Sequence, residues 1–236
     1  MQRTFITMLK AVHAILSAHF KYPSLENARR ATPTQTRIDL QLDEKVAVFI
    51  GDATERAVEN PHNTDFHCLV YSQYKSRTTL KHNVVITGNG YMCEISRGYP
   101  GSTSDNALHE HDDIAARMAA TGACGAYNIV YLYDKGLTQF LPLEQSGIRV
   151  ITPWFKEAEQ TYFDEQSAHN QGVAKTRTLI EINMGNCRTY AAFDELTRLS
   201  SIDLSDLIAD TVRCLVNFWA PQPAWDLTAD TDNARQ

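Results

Sequence analysis

Three acidic residues stand where their side chains could do chemistry together. Asp52 follows the apolar run at residues 46–50, Asp134 follows the run at 127–133, and Glu181 lies inside the helix-like stretch RTLIEINMGNCR. Hard divalent cations prefer carboxylate oxygens, so acids on two strand ends and one helix could gather around Mg²⁺ or Mn²⁺. Two such ions about 4 Å apart can activate an attacking oxygen and stabilise a leaving one. The pattern favours chemistry on phosphodiesters, although a lone strand-end aspartate can equally cap a turn or helix.

The helix around Glu181 carries further candidates along one side. Arg177, Glu181, Gly185 and Arg188 recur at helical spacing. Gly185 costs about 1 kcal/mol of helix propensity relative to Ala, which predicts close approach of backbone or substrate there. The alternative is an exposed Arg–Glu pair worth a few tenths of a kcal/mol. Arg188, and Lys135 beside the second aspartate, are candidate phosphate contacts.

The segment at residues 71–98 is basic, although the whole chain of 236 residues has a net charge of −6. This segment contains four cationic residues and one acid, Glu94; the cationic residues are Lys75, Arg77, Lys81 and Arg97. The first three share parity in a strand and would lie on one face. Such a basic stripe could hold phosphates without reading bases, and a solvated strand face is the alternative.

The sequence motifs around these residues resemble those of the catalytic domain in the PIF/Harbinger group of DDE transposases and their domesticated, nuclease-like relatives. The resemblance covers about residues 46–219, and 47 residues separate Asp134 from Glu181, as in that group. The GYPGS word followed by an aspartate is a fairly specific signature. The matching segments are DATE at 52–55, YSQYKSRTTLK at 71–81, GYPGSTSD at 98–105, YDKG at 133–136, and the spacing of Arg177, Glu181 and Gly185.

This resemblance implies a divalent-metal-dependent DNA endonuclease. Asp52, Asp134 and Glu181 would be both catalytic residues and ligands of two Mg²⁺ or Mn²⁺ ions, with water as the nucleophile. Asp105 would be a supporting partner of the metal site or a helix cap, and Arg177 and Gly185 would support the glutamate helix. The second possibility is a catalytically silent, domesticated module that binds DNA or protein, and the third is a degenerate fragment.

The resemblance also implies partners and a location. Transposases of this group usually carry a helix-turn-helix segment before the catalytic domain, and little of one is visible here. We therefore expect either a truncated copy or a separate DNA-binding partner protein, with homo-oligomer formation possible. A nuclear location is implied by the resemblance alone, although the sequence has no convincing basic targeting run.

The predicted fold class is α/β. The order of strands and helices indicates a hairpin feeding α/β packing, and the resemblance supplies the ribonuclease-H-like three-layer fold, a mixed sheet with flanking helices. We predict a helical appendage at residues 1–45, a catalytic domain at 46–220 and a disordered acidic tail at 221–236. Element predictions include a strand at 45–51 ending at Asp52, a polar loop at 56–66, an Asn89-Gly90 hairpin, a helix from Ser104 or Asp105 to about Ala120, and a helix at 205–219.

Composition excludes several other classes. No run of about 18 apolar residues occurs, so no membrane span is expected. The first 20 residues read as a packing helix rather than a secretion signal, and a transit peptide stays open. Five scattered cysteines without a C-x-x-C pair favour free thiols over a disulfide framework or a zinc site. The cluster at residues 109–113 reads as a solvated helix face rather than a metal site.

Overall fold

The computed structural model describes residues 2–121, 127–154 and 164–219. Its first half contains, in order, α1 (Gln2–His19), α2 (Leu25–Arg30), α3 (Thr34–Asp39), β1 (Ala47–Ala57), α4 (Thr64–Val70), β2 (Tyr71–Ser72), β3 (Arg77–Thr87), β4 (Met92–Ile95) and β5 (Tyr99–Pro100). Its second half contains α5 (Asp105–Asp112), α6 (Ile114–Ala119), β6 (Ile129–Leu132), α7 (Leu141–Gln145), β7 (Ile148–Ile151), α8 (Asp164–Arg188), α9 (Ala191–Asp194), a 3₁₀ helix (Leu199–Leu204) and α10 (Ser205–Trp219). Among these helices, none is long and apolar enough to span a bilayer.

The sheet is mixed, with the strand order β2-β3-β1-β6-β7. β1 pairs antiparallel with β3 and parallel with β6, and β6 pairs parallel with β7. The outer edge of β3 is shared in succession by β2, β5 and β4. A hairpin feeding a parallel half-sheet between helical layers is the ribonuclease-H-like three-layer arrangement, and the predicted fold class is confirmed.

Two apolar layers form the core, one on each face of the sheet. Val48 and Ile50 of β1 pack in one cluster with Ile180 of α8 and Val212 of α10. The alternate residues of β1 pack with α2 and α6 in the other, whose central members are Ala28, Ala47, Phe49, Ile114 and Met118. Side chains alternate along a strand, so residue 52 points toward the layer that contains α8.

The polar half of β1 was not expected from the sequence. The strand predicted to end near Gly51 continues to Ala57, because its antiparallel pairing with β3 runs on to Ala57 opposite Thr79. Two polar residues of this half, Thr54 and Arg56, are buried. The predicted loop at 56–66 therefore holds a strand end and the start of α4, whose N-cap is the Asn63 side chain.

The predicted hairpin and the last helix are confirmed, whereas one predicted helix is split into two. Gly90 has φ of +93° at the hairpin between β3 and β4, and α10 has the predicted bounds. The helix after the GYPGS word is capped by Ser104 but breaks at Asp113, whose φ is +50°, into α5 and α6. The acidic tail at 221–236 lies outside the described residues.

The N-terminal helices pack on the α/β core. His13 of α1 lies 2.7 Å from Asp210 of α10, between Nε2 and a carboxylate oxygen. Ala28 of α2 is fully buried against the sheet, and the backbone of Asp39 in α3 approaches Gly172 of α8 closely. These contacts tie residues 2–39 to both helical layers.

Candidate active site

Asp52 and Asp134 occupy equivalent positions relative to the parallel pairing of β1 with β6. The pairing of β1 with β6 ends at Ile50 opposite Leu132, and each aspartate follows two residues later. Asp52 is in the middle of β1 rather than at the predicted strand end, because β1 continues against β3, with Asp52 opposite Val84. It nevertheless marks the end of the parallel pairing. Equal register and parity direct both carboxylates toward α8.

Arg177 of α8 joins the two aspartates. Its Nη2 donates to Asp52 Oδ2 at 3.1 Å, and its Nη1 donates to Asp134 Oδ1 at 3.4 Å. The side chains of Arg177 and Asp52 are 15% and 20% exposed, whereas Asp134 is 49% exposed. One guanidinium therefore reaches both carboxylates at the edge of the protein, where the second remains open to solvent.

The surroundings of Asp52 favour a cation. Burial raises the pKa of its carboxyl group, against the lowering effects of Arg177 and of the backbone N–H of Ala53. The negative charges of Asp134 and Asp105 raise this pKa further. The net direction is upward, so ionised Asp52 is stabilised by any positive charge placed between the acids.

Asp105 lies beside this pair. Ser104, not Asp105, caps α5, since its Oγ accepts from the N–H of Ala107 at 3.2 Å. The Asp105 carboxylate faces Lys81, whose Nζ donates to it at 3.5 Å and to the Thr103 carbonyl at 2.7 Å. A Cβ on Gly136, two residues after Asp134, would overlap the Asp105 carboxylate. A third acid thus lies against the turn that carries Asp134.

Glu181 is one turn beyond Arg177 on α8 but outside this group. Its side chain is exposed, and it makes no hydrogen bond or ion pair within the described residues. Among those residues, no three His, Cys, Asp or Glu side chains form a group that could hold a metal ion. Among the residues that the structure describes, no atom outside the neighbouring turns of α8 lies within 4 Å of a Cβ placed on Gly185, so none of that backbone approaches there. The structure gathers two of the three predicted acids and leaves Glu181 on the open face of α8.

A comparison with protein families matches residues 51–217 to the DDE superfamily endonuclease family. The match spans most of the chain and includes Asp52, Asp105, Asp134 and Glu181. The chain belongs to the DDE superfamily endonuclease family. No curated protein and no solved structure matches it.

DDE endonucleases generally use divalent metals, and the donors present suit such an ion. Asp52 and Asp134 supply hard carboxylate oxygens that already converge on one cation, the Arg177 guanidinium. Asp105 adds negative charge nearby. The pair of aspartates therefore fits a divalent cation. Glu181 faces solvent on the turn of α8 that follows Arg177.

The predicted basic residues of the chain separate into two places. Lys75 lies in the turn between β2 and β3, not in a strand as predicted, because β2 ends at Ser72 and β3 begins at Arg77. A cavity of about 200 Å³ collects three of the cations, Lys75, Arg77 and Arg188. Arg188 also donates to Thr54 Oγ1 at 3.3 Å, two residues along β1 from Asp52. Lys81 is instead at Asp105, and the backbone N–H of Lys135 donates to Asp134 Oδ1 at 2.7 Å.

Two residues near the site were missed or misjudged from the sequence. Glu55 accepts from Thr79 Oγ1 at 2.7 Å and lines the basic cavity. His109, expected on a solvated helix face, is half-buried: its Nε2 lies 3.1 Å from Tyr131 Oη and its ring packs edge-on against Tyr133. Burial lowers the pKa of His109. The position of His109 four residues after Asp105 was the available signal, since that spacing shares a helix face.

Proposed function

We propose that this chain is a divalent-metal-dependent DNA endonuclease related to PIF/Harbinger transposases. The observation that carries the proposal is the shared contact of Arg177 with Asp52 and Asp134. It places two carboxylates from adjacent strands within reach of one positive group, at the edge of a ribonuclease-H-like sheet. Membership of the DDE superfamily endonuclease family supports phosphodiester cleavage as the reaction.

In this proposal Asp52 and Asp134 hold the metal, and Glu181 completes the set when substrate and cation are present. A divalent cation would supply Lewis-acid stabilisation of charge on the phosphate and lower the pKa of water. Lys75, Arg77 and Arg188 bind phosphates of the DNA strand beside the acids. Water adds to phosphorus, and the bond to the 3′ oxygen breaks, which leaves a 3′-hydroxyl and a 5′-phosphate.

The activity is tested by incubating the purified chain with supercoiled plasmid and Mg²⁺ or Mn²⁺. The wild type is expected to nick the plasmid, and both Asp52→Asn and Asp134→Asn to abolish nicking. Asp113→Asn is the matched control, because this exposed aspartate ends α5 away from the acid pair. Nicking that survives both substitutions in the pair would contradict the assignment.

A catalytically silent, domesticated binding module is the second candidate. Two observations favour it: Arg177 already forms ion pairs with both aspartates, and Glu181 lies outside the pair. This module would bind DNA or protein without cleaving. DNA binding that is unaffected by Asp134→Asn, in a wild type that never nicks, would support it over the endonuclease.

The proposed partners follow from the same reasoning. DNA is the substrate, a separate DNA-binding protein selects the site, and the chain can act as a homo-oligomer. The proposed location is the nucleus. Expression of a tagged chain with and without candidate DNA-binding proteins, followed by imaging and chromatin capture, tests these statements.

A further inference from the structure

A second cavity shares Glu55 with the basic one. It has a volume of about 620 Å³ and is formed by α4, the turn between β2 and β3, and the segment after β5. We call it the aromatic groove, and its defining residues are Glu55, His67, Tyr71, Tyr74, Lys81 and Ser102. Its size is sufficient for one nucleotide with surrounding water.

Aromatic rings line the groove: Tyr74 is exposed to solvent, and His67 and Tyr71 are half-buried. Tyr74 is 85% exposed, so its ring does not serve the core. His67 and Tyr71 stack with ring centroids 5.6 Å apart and planes 28° apart. Lys75 Nζ lies 4.8 Å from the centroid of the Tyr74 ring. Exposed aromatic rings accompanied by a cation are the surface on which bases of single strands stack.

Hydrogen bonds and close packing brace the backbone segments that carry these rings. Ser76 has φ of +53° in the turn between β2 and β3, and the Lys75 N–H donates to Ser72 Oγ at 3.2 Å. Behind the turn, Ser102 Oγ donates to the Leu69 carbonyl at 2.6 Å. A Cβ on Gly101 would overlap the Val70 carbonyl and Thr79, so this wall is closely packed. A site whose backbone is already ordered loses less conformational entropy when a ligand binds, which favours binding.

The aromatic groove adjoins both the acids and the basic cavity. Lys81 lines the groove and donates to Asp105, whose charge acts on Asp52. Glu55 lines both cavities, and its carboxylate can accept from the exocyclic amine of a base. A strand whose phosphates lie at Arg77 and Arg188 would pass the groove beside the acid pair.

We propose that the aromatic groove binds an unpaired nucleotide of the DNA strand that is cleaved. The inference rests on the proposed function for its substrate, and it adds a preference that the function alone does not require. Base pairs within a duplex are covered by their neighbours on both faces, whereas an unpaired base can place one face on Tyr74. The groove therefore selects DNA that is frayed, forked or single-stranded next to the cut.

The test measures binding without metal, in EDTA, by fluorescence anisotropy. The probes are a labelled forked duplex and a blunt duplex of the same sequence. Tyr74→Ala is expected to weaken binding of the forked probe about tenfold, the size of one lost base–aromatic stack, and to leave the blunt probe nearly unchanged. Tyr74→Phe keeps a ring and should retain most of the affinity.

Trp154→Ala is the matched control, because Trp154 is also exposed but follows β7 at the opposite edge of the sheet. Equal affinity of wild type and Tyr74→Ala for forked DNA would overturn the groove, as would an equal loss on both probes or tighter binding of single-stranded RNA of the same sequence. If the chain nicks plasmid but Tyr74→Ala binds DNA like wild type, the groove proposal fails and the endonuclease proposal stands. If binding of forked DNA depends on Tyr74 but the chain never nicks plasmid, the endonuclease proposal fails and the nucleotide-binding role of the groove stands.

Discussion

Arg177 Nη2 lies 3.1 Å from Asp52 Oδ2, with both side chains mostly shielded from solvent. The same guanidinium reaches Asp134 from α8. Its positive charge stabilises the ionised form of Asp52, which burial and repulsion from Asp134 would otherwise destabilise. It also occupies oxygens that a metal ion would use, so Arg177 and a divalent cation compete for the same acids.

Replacing Arg177 by Met should lower stability without metal and increase the response to metal. Two half-buried acids would lose their cation, so we expect the free energy of unfolding to fall by about 1–2 kcal/mol. Mn²⁺ should then raise the Tm of the variant by more than that of wild type. Thermal unfolding in EDTA and in Mn²⁺ measures both effects. Arg188→Met is the control, since Arg188 contacts Thr54 rather than an acid, and an identical Mn²⁺ response in all three proteins would refute the competition.

Charge reversal at Lys75 and Arg77 should weaken DNA binding with or without metal. These exposed cations share a cavity with Arg188, and phosphate contacts dominate non-specific affinity at low salt. The double variant Lys75→Glu with Arg77→Glu is expected to bind a duplex at least tenfold more weakly and with a shallower salt dependence. Arg3→Glu with Lys10→Glu on α1 changes the net charge equally. A similar loss in that control would assign the effect to net charge instead of the cavity.

Gly185→Ala should stabilise the protein. The added methyl group meets no atom of the described part of the chain within 4 Å outside the neighbouring turns of α8, and Ala is favoured over Gly in a helix by about 1 kcal/mol. Gly172→Ala in the same helix should destabilise, because its Cβ would overlap the Asp39 carbonyl. Urea unfolding measures both variants. If Gly185 is kept for substrate approach, the stabilised variant should also nick plasmid more slowly; destabilisation by Gly185→Ala would disprove the open helix face.

His82 should make stability fall as the solution becomes acidic. Burial lowers its pKa from 6.5 to about 4, and its Nδ1 donates to the Ser96 carbonyl at 2.8 Å. His82 takes up a proton near pH 6.5 in the unfolded chain but only near pH 4 in the folded chain. The contribution of neutral His82 to the free energy of unfolding is therefore fully present above pH 6.5, and it is lost as the pH falls from 6.5 to 4. Between about pH 7.5 and 4.5, wild type should lose about 2 kcal/mol more than His82→Gln. Urea titrations at the two pH values measure the difference, and equal losses would exclude His82 as the cause.

Much of the sheet could be predicted from the sequence because its parallel half is apolar. Residues 47–50 and 129–132 are continuous buried runs, and Asn89-Gly90 marks the hairpin. The polar half of β1 could not be predicted in this way. Arg56 there is buried by hydrogen bonds to distant carbonyls of Phe193, Ala192 and Ser205, which no local pattern reveals.

The candidate site shows the same division. The order of Asp52 and Asp134 after two strands predicted their meeting, because parallel strands align their ends. The role of Arg177 as their shared partner depends on how α8 crosses the sheet, which sequence spacing does not give. The exposure of Tyr74 and the position of Lys75 depend on the four-residue turn between β2 and β3.

Binding of Mn²⁺ tests the central claim most directly. Isothermal titration of the wild type should show binding that is lost or at least tenfold weaker in both Asp52→Asn and Asp134→Asn. Asp113→Asn should bind like wild type. Wild-type affinity for Mn²⁺ in both variants of the pair would contradict the account, because these two carboxylates would then not be the place where the cation is held.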